Sequence, residues 1–401
     1  MPKLSDPLML PCGVELPNRL GKAALSENIG EKGGRPGDRM KKLYSMWSDC
    51  GAGLNLSGNV MVDRTAMVEE FNVVLENDEF LTDFSEVAEN AQAGGTHFWM
   101  QINHPGRQAV SKFNDVVVAP SAVKVNQPGL FKMPRPLEDA EISELIERYG
   151  RTAELAKAVG YKGVQIHGAH GYLVSQFLSP KTNLRDDRWG GSVENRARFL
   201  LEIFRNMRAR VGANFPIGVK INSADFQRGG FQEEDSIAVI KMLETEGVDL
   251  VEVSGGTYEK AAMMGVAHKK QRESTLQREA YFSEFAAKVR EHIQVPLMLT
   301  GGFRTKAGMQ AALDCGDVDL VGLGRPFTAF PKVAKELLNG SREECQLPDT
   351  STGISKLDKM GAVDLTWHAM QMRKMGQGLE PDLKMSAWAP VWDLMKNLVF
   401  K

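Results

Sequence analysis

Hydrophobic positions along this chain follow two alternating rhythms. Short apolar runs with strand character fall at 20–25, 53–60, 97–102, 163–167, 217–222, 250–254, 296–300 and 320–323. Between several of them the apolar residues recur three and four apart, the period of a helix with one buried face. The clearest stripe is Ile142, Leu145, Ile146, Tyr149, Ala153 and Ala156, closed by Gly160. Gly160, Gly247 and Gly316 each stand just before a candidate strand, as a left-handed helix cap and a tight αβ connection require.

Eight strands with intervening helices predict an α/β chain folded as a (β/α)8 TIM barrel, an architecture of about 250 residues before insertions. A doubly wound sheet is the rival, and no G-x-G-x-x-G follows the first strand to support it. Residues 7–18 read as a hairpin that precedes the barrel and closes its bottom. Beyond Pro331 the order becomes irregular and Met, Trp and basic residues increase. The expected division is therefore a barrel with its hairpin over 1–339 and a C-terminal extension over 340–401, packed on the barrel or on a neighbouring subunit. The aromatic residues Trp388, Trp392 and Phe400 suit burial against a second copy.

Charge narrows the partners. The 401 residues carry 49 basic and 51 acidic side chains, a balance that argues against nucleic acid or an anionic membrane. Cys12, Cys50, Cys315 and Cys345 are far apart, with no C-x-x-C pair, which disfavours a zinc ribbon, an iron–sulfur cluster or a disulfide scaffold. No apolar signal core opens the chain, and no run nears the roughly 20 apolar residues of a membrane span. The expectation is a soluble, cytoplasmic protein acting on a small molecule.

The chemistry concentrates in Gly163-Val164-Gln165-Ile166-His167-Gly168-Ala169-His170-Gly171-Tyr172. Val164 and Ile166 alternate with Gln165 and His167, so the strand has an apolar and a polar face. Its glycines let the chain turn and bring His170 and Tyr172 beside His167. The two histidines could be inert core residues. As metal ligands they lack the i, i+4 helical spacing and a nearby third ligand, so no metal is expected. As paired N–H donors they would polarise a carbonyl or nitro oxygen, with Tyr172 as general acid. After the seventh strand comes Thr300-Gly301-Gly302-Phe303-Arg304, and after the eighth Gly324-Arg325-Pro326. Loops in these positions often present backbone amides to a phosphate.

Five segments together resemble the Old Yellow Enzyme family of FMN-dependent ene reductases. They are Asn18-Arg19 running to Ala24-Leu25-Ser26, Gln101 in Gln-Ile-Asn-His-Pro-Gly-Arg, and the His167/His170/Tyr172 cluster with Gln176-Phe177-Leu178-Ser179-Pro180. The others are Arg185-Asp186-Asp187-Arg188-Trp189-Gly190-Gly191-Ser192 with Glu194-Asn195-Arg196, and the two glycine loops. The likeness runs from about residue 5 to 335, and the long middle motif is its most specific part. It implies FMN at the top of a barrel, NADH or NADPH as reductant in a ping-pong hydride relay, and reduction of the C=C bond of an α,β-unsaturated carbonyl or nitro compound. By that resemblance Ala23, Ala24, Leu25 and Ser26 line the flavin, with Gly58 and His167 among the cofactor contacts. Gln101 meets the pyrimidine end, Lys220 lies by N1/O2, and Gly301, Gly302, Phe303, Gly324 and Arg325 hold the phosphate.

Strand parity agrees: Trp99 and Gln101 share a face, as do Gly218, Lys220 and Asn222. An inward Lys220 needs an anionic partner, because an unpaired buried ammonium is costly, and the negative charge of reduced flavin near N1 is the partner the resemblance implies. Three positions depart from the family pattern. Lys220 stands where Arg is usual and loses the planar fork. Ser26 stands for Thr or Cys, and Ala24 for Pro.

Other motifs take plainer readings. In 185–196, Ser192 caps a helix with Glu194 in its first turn, and ion pairs of the acidic and arginine residues fix the loop. The Met-rich stretches 261–265 and 360–375 suit adaptable packing, although 258–264 follows the sixth strand and could line a substrate mouth. The alternatives are a same-fold flavoenzyme acting on dienoyl thioesters or amines, an RNA-directed flavin barrel, and a non-catalytic flavin-binding protein. The first would carry a cysteine cluster and a further dinucleotide-binding domain, the second a basic surface and a catalytic cysteine. The third would hold a chromophore that NAD(P)H fails to bleach.

Overall fold

The computed structural model describes residues 1–127, 129–254, 283–358 and 361–399. Twelve strands are formed among them: β1 (Leu8–Met9), β2 (Glu15–Leu16), β3 (Leu20–Lys22), β4 (Leu54–Met61), β5 (His97–Asn103), β6 (Val118–Ala119), β7 (Arg135–Pro136), β8 (Gly163–Gly168), β9 (Ile217–Asn222), β10 (Leu250–Ser254), β11 (Leu297–Thr300) and β12 (Leu320–Leu323). Strands β3, β4, β5, β8, β9, β10, β11 and β12 form a closed barrel in that order, and every pairing is parallel. These are the eight strands expected from the apolar runs, so the chain is a (β/α)8 TIM barrel.

The first strand is shorter than the expected 20–25. Its ladder to β12 ends at Lys22–Leu323 and its ladder to β4 at Lys22–Asn55, and only the Ala23 amide still donates to Leu323 O, at 2.9 Å. With no further neighbour to pair with, residues 23–26 leave the sheet as a loop at the carboxyl end of the barrel.

The helix Asp139–Ala158 buries Ile142, Leu145, Ile146, Tyr149, Ala153 and Ala156, the stripe read from the sequence. A reciprocal capping box of Glu138 and Glu141 starts it. Inside the barrel the lowest layer is filled by unequal partners. The Trp99 ring covers Gly163 so closely that a Cβ there would fall 2.6 Å from it, and Gly218 faces the same ring. The β1–β2 hairpin plugs the amino-terminal mouth, with Leu8, Leu10 and Leu16 packed on Leu54, Leu56, Leu250 and Met298. Its Cys12 amide donates to Asp249, which also receives Arg208 at 2.6 Å.

Between β5 and the long helix, β6 and β7 form a small separate sheet. After the barrel the chain forms the helices Ser355–Asp358, Ala362–Met375 and Trp388–Val399. The middle one packs on the helices Asp38–Ser48 and Pro326–Ala329 of the barrel. Trp388 and Trp392 are exposed, while Phe400, Met360 and the segments 258–264 and 261–265 lie outside the described residues. No helix among the described residues is long and apolar enough to cross a membrane.

Candidate active site

The carboxyl ends of the strands open into a cavity of about 340 Å³, within the size range of small-molecule and cofactor sites. One wall is the tip of β8. His167 is its last inward side chain, and the turn that follows forces His170 into the left-handed region, φ +61°, where a side chain is uncommon. The sequence placed that strain on glycine; the structure places it on His170 as well as Gly171. The rings of His167 and His170 lie 5.1 Å apart at 76°, and Tyr172 lies edge-on to His167 at 4.8 Å.

Neighbouring segments hold this turn from below. The His170 amide donates to Asn222 Oδ1 at 3.2 Å, and its carbonyl accepts from Gln108 at 3.1 Å. Gln176 donates to Gly171 O and Pro105 O and accepts from the Arg107 amide. Gly106 is required there, since a Cβ would stand 2.2 Å from Gln176 Oε1. The Gln-Ile-Asn-His-Pro-Gly-Arg segment thus buttresses the histidine turn through Gln176. Burial first, and the Lys220 charge second, hold both imidazoles well below the ordinary histidine range, so they are neutral.

The floor is a chain of side chains in barrel register. Gln101 donates to Gln165 at 2.7 Å, Gln165 donates to Glu252 at 2.8 Å, and Lys220 pairs with Glu252 at 2.8 Å. Gln101 and Gln165 are direct partners across β5 and β8, as are Lys220 and Glu252 across β9 and β10. The anion expected beside Lys220 is therefore supplied by the protein itself.

Ala23, Ala24, Leu25 and Ser26 line the cavity on the loop after β3. The Ser26 hydroxyl donates to Glu69, whose carboxyl burial pushes above its ordinary range. Gly58 does not line the cavity. Its amide donates to Glu27 Oε1 at 2.7 Å, and a Cβ there would strike the Glu27 carboxylate and Leu25 O. Gly58 lets the loop close on β4, whose register shifts between Leu56 and Asn59 at that point. Lys22 lies beneath, fully buried, 4.4 Å over the Trp47 ring and donating to Leu56 O at 2.8 Å. Burial pushes its pKa down to about 8.

The far end carries Gly301, Gly302, Phe303, Gly324 and Arg325. Gly302, at φ +83°, needs a residue without a side chain. Arg325 is bound to Asp364 at 2.7 Å, and Asp364 also accepts from Thr350 at 2.8 Å. Burial raises the Asp364 pKa, but Arg325, His368 and Thr350 outweigh it, and the carboxyl sits below its usual range. His368, one turn on, shares a 2.6 Å hydrogen bond with Thr328. Leu365, His368, Ala369 and Met372 of this helix close the cavity from above.

The sequence reading missed that roof, together with Asn59, Glu69 and Ser254. Ser254 could have been found, since it shares the inward parity of Leu250 and Glu252. No local signal marks the roof. The 185–196 segment is structural scaffold: Ser192 caps its helix, Arg185 pairs with Asp187 at 2.6 Å, and Arg196 binds Leu178 O and Asp235.

The donor set fits a flavin nucleotide. Thr300 Oγ1 is buried on the cavity wall with no partner, Arg325 stands at the glycine loops, and Lys220 and Gln101 lie at the floor. A barrel with such a slot across its carboxyl mouth defines the class of FMN-binding oxidoreductases. The model of the NADH:flavin oxidoreductase / NADH oxidase family matches residues 3–344, and the chain belongs to that family, whose Old Yellow Enzyme-like members are FMN-dependent and use NADH or NADPH. The chain is 36% identical over 357 residues to NADH-dependent flavin oxidoreductase iliE of Hypocrea jecorina (strain QM6a), covering 83% of this chain and 88% of the relative. It is 32% identical over 333 residues to NADH oxidase of Thermoanaerobacter brockii, covering 82% of this chain but only 49% of that protein. Morphinone reductase in complex with tetrahydroNAD superposes with a TM-score of 0.73 at 27% identity, covering 86% and 92% of the two chains. The protein is thus an NAD(P)H-dependent flavin oxidoreductase.

Proposed function

We propose that the enzyme reduces the C=C bond of an α,β-unsaturated carbonyl or nitro compound, with His167 and His170 binding the acceptor oxygen and Tyr172 delivering the proton. The observation that carries this reading is the pair of neutral imidazoles on the cavity wall with a phenol against one of them. A neutral imidazole has one N–H to give, and two aimed at one oxygen withdraw electron density from the conjugated alkene. The chemistry that FMN would supply here, when bound and reduced by NADH or NADPH, is transfer of a hydride to the β-carbon. Gly301, Gly302, Gly324 and Arg325 would hold its phosphate, with Gln101 and Lys220 at the ring end.

The chain's own residues do the rest. His167 and His170 orient the oxygen so that the β-carbon is the electron-poor one. Tyr172 holds the proton for the α-carbon, and the Leu365–Met372 roof excludes water. The test is the Tyr172→Phe variant followed in two half-reactions. Bleaching by NADH or NADPH should proceed near the native rate, and reoxidation by 2-cyclohexenone should be slowed. Equal slowing of both would reduce Tyr172 to a packing residue, and a bound flavin that neither nucleotide bleaches would identify a non-catalytic binder.

A further inference from the structure

The two imidazoles are held by different kinds of donor. His167 Nδ1 accepts from the Ala169 amide at 3.3 Å, so its proton resides on Nε2. A backbone amide makes that choice. His170 instead places Nε2 3.0 Å from Ser254 Oγ, the last residue of β10. That contact has two forms. Either Nε2–H donates to the hydroxyl oxygen and Nδ1 is a bare acceptor, or the hydroxyl donates to Nε2 and the ring proton sits on Nδ1.

The backbone of His170 is held on both sides. Its amide and carbonyl are tied to Asn222 and Gln108, and its backbone is in the left-handed region. Ser254 is fixed as well, since it ends a barrel strand and its carbonyl accepts from the Ser223 amide at 2.8 Å. Within the contact, what remains to be set is which of the two groups carries the shared proton. A second N–H directed at an acceptor oxygen exists in one of the two forms alone.

We propose that Ser254 is a positioning residue that selects the His170 tautomer: its hydroxyl donates to Nε2 and leaves the ring proton on Nδ1 for the substrate oxygen. This rests on the donor-pair reading above. His167 and His170 then act as opposite tautomers, one set by backbone and one by a side chain. A ligand without an oxygen acceptor gains nothing from Ser254.

The experiment uses FMN-loaded enzyme labelled with 15N-histidine, with the His170 signals assigned from a His170→Ala variant. Two-bond proton–nitrogen correlations report which ring nitrogen carries hydrogen. Native enzyme should show His170 protonated at Nδ1. Ser254→Ala should shift it toward Nε2–H and weaken 4-nitrophenol binding about 3- to 10-fold, the scale of one hydrogen bond. Ser254→Thr, which keeps the hydroxyl, should restore both, an outcome that a purely structural role for Ser254 would not produce. His170 protonated at Nε2 in the native enzyme, or unchanged in Ser254→Ala, overturns the inference while leaving the donor pair standing. Unchanged 4-nitrophenol affinity in His170→Ala overturns the donor pair itself, and with it the purpose given to Ser254.

Discussion

The two ends of the cavity draw the partners of their polar groups from different parts of the fold. At the strand tips each of these groups is met from within the barrel sheet: Lys220 by Glu252, Gln101 by Gln165, and His170 by Asn222 of the next strand and Ser254 of the one after it. At the glycine-loop end the Arg325 guanidinium is met by a carboxylate of the helix Ala362–Met375, outside the barrel. Barrel register fixes the first arrangement, because parallel neighbours hold inward side chains at one height. The second depends on how an added segment packs. The histidine end should therefore be rigid and tightly coupled to folding, and the glycine-loop end softer and tunable.

The largest expected effect strikes the rigid end. Lys220→Met leaves Glu252 buried without its cation, and unfolding in urea should show a loss of about 3–5 kcal/mol. A loss under 1 kcal/mol would mean that Glu252 is neutralised by other means. Next comes His170→Ala. FMN should stay bound while reoxidation by 2-cyclohexenone slows about 10²- to 10³-fold, the usual consequence of losing one donor at a developing oxyanion.

At the soft end Asp364→Asn breaks the ion pair but keeps a hydrogen-bonding side chain. Stability should fall by about 1–3 kcal/mol, and FMN retained on dilution should drop, read from flavin fluorescence. Full retention would place Arg325 outside the anchoring of the cofactor. The smallest effect concerns acid. Burial pushes the His368 pKa down to about 3, from 6.5 when unfolded. The unfolded chain thus binds the extra proton first as the pH falls below 6.5, and stability declines from there until the folded group also titrates near 3. The slope from this group is at most about 1.4 kcal/mol per pH unit. His368→Asn should flatten the decline of the urea midpoint between pH 6 and pH 4. An unchanged slope would assign the acid sensitivity to other buried groups such as His104, likewise pushed down to about 4.

The same division separates what could be read early from what could not. The motif from His167 to Tyr172 was legible because one strand and one turn carry it. Lys220 was legible because strand parity turns it inward, and parity also gives Glu252 and Ser254 once the barrel is assumed. The glycine loops were legible as part of the cavity from their order, since they follow the seventh and eighth strands. Gly58 shows the opposite case: its place among cofactor contacts came from resemblance, whereas in the structure its amide and its missing side chain serve Glu27 and Leu25.

By itself the sequence determined the eight-stranded barrel, the helix faces and the inward residues of the regular strands, since periods of two and 3.6 act over neighbouring residues. It also placed the histidines and the tyrosine at a carboxyl strand end. Tertiary structure alone decided which groups meet across the cavity. Asp364 against Arg325, Glu69 against Ser26, and Ser254 against His170 are 39, 43 and 84 residues apart, and no local period encodes contacts at such separations.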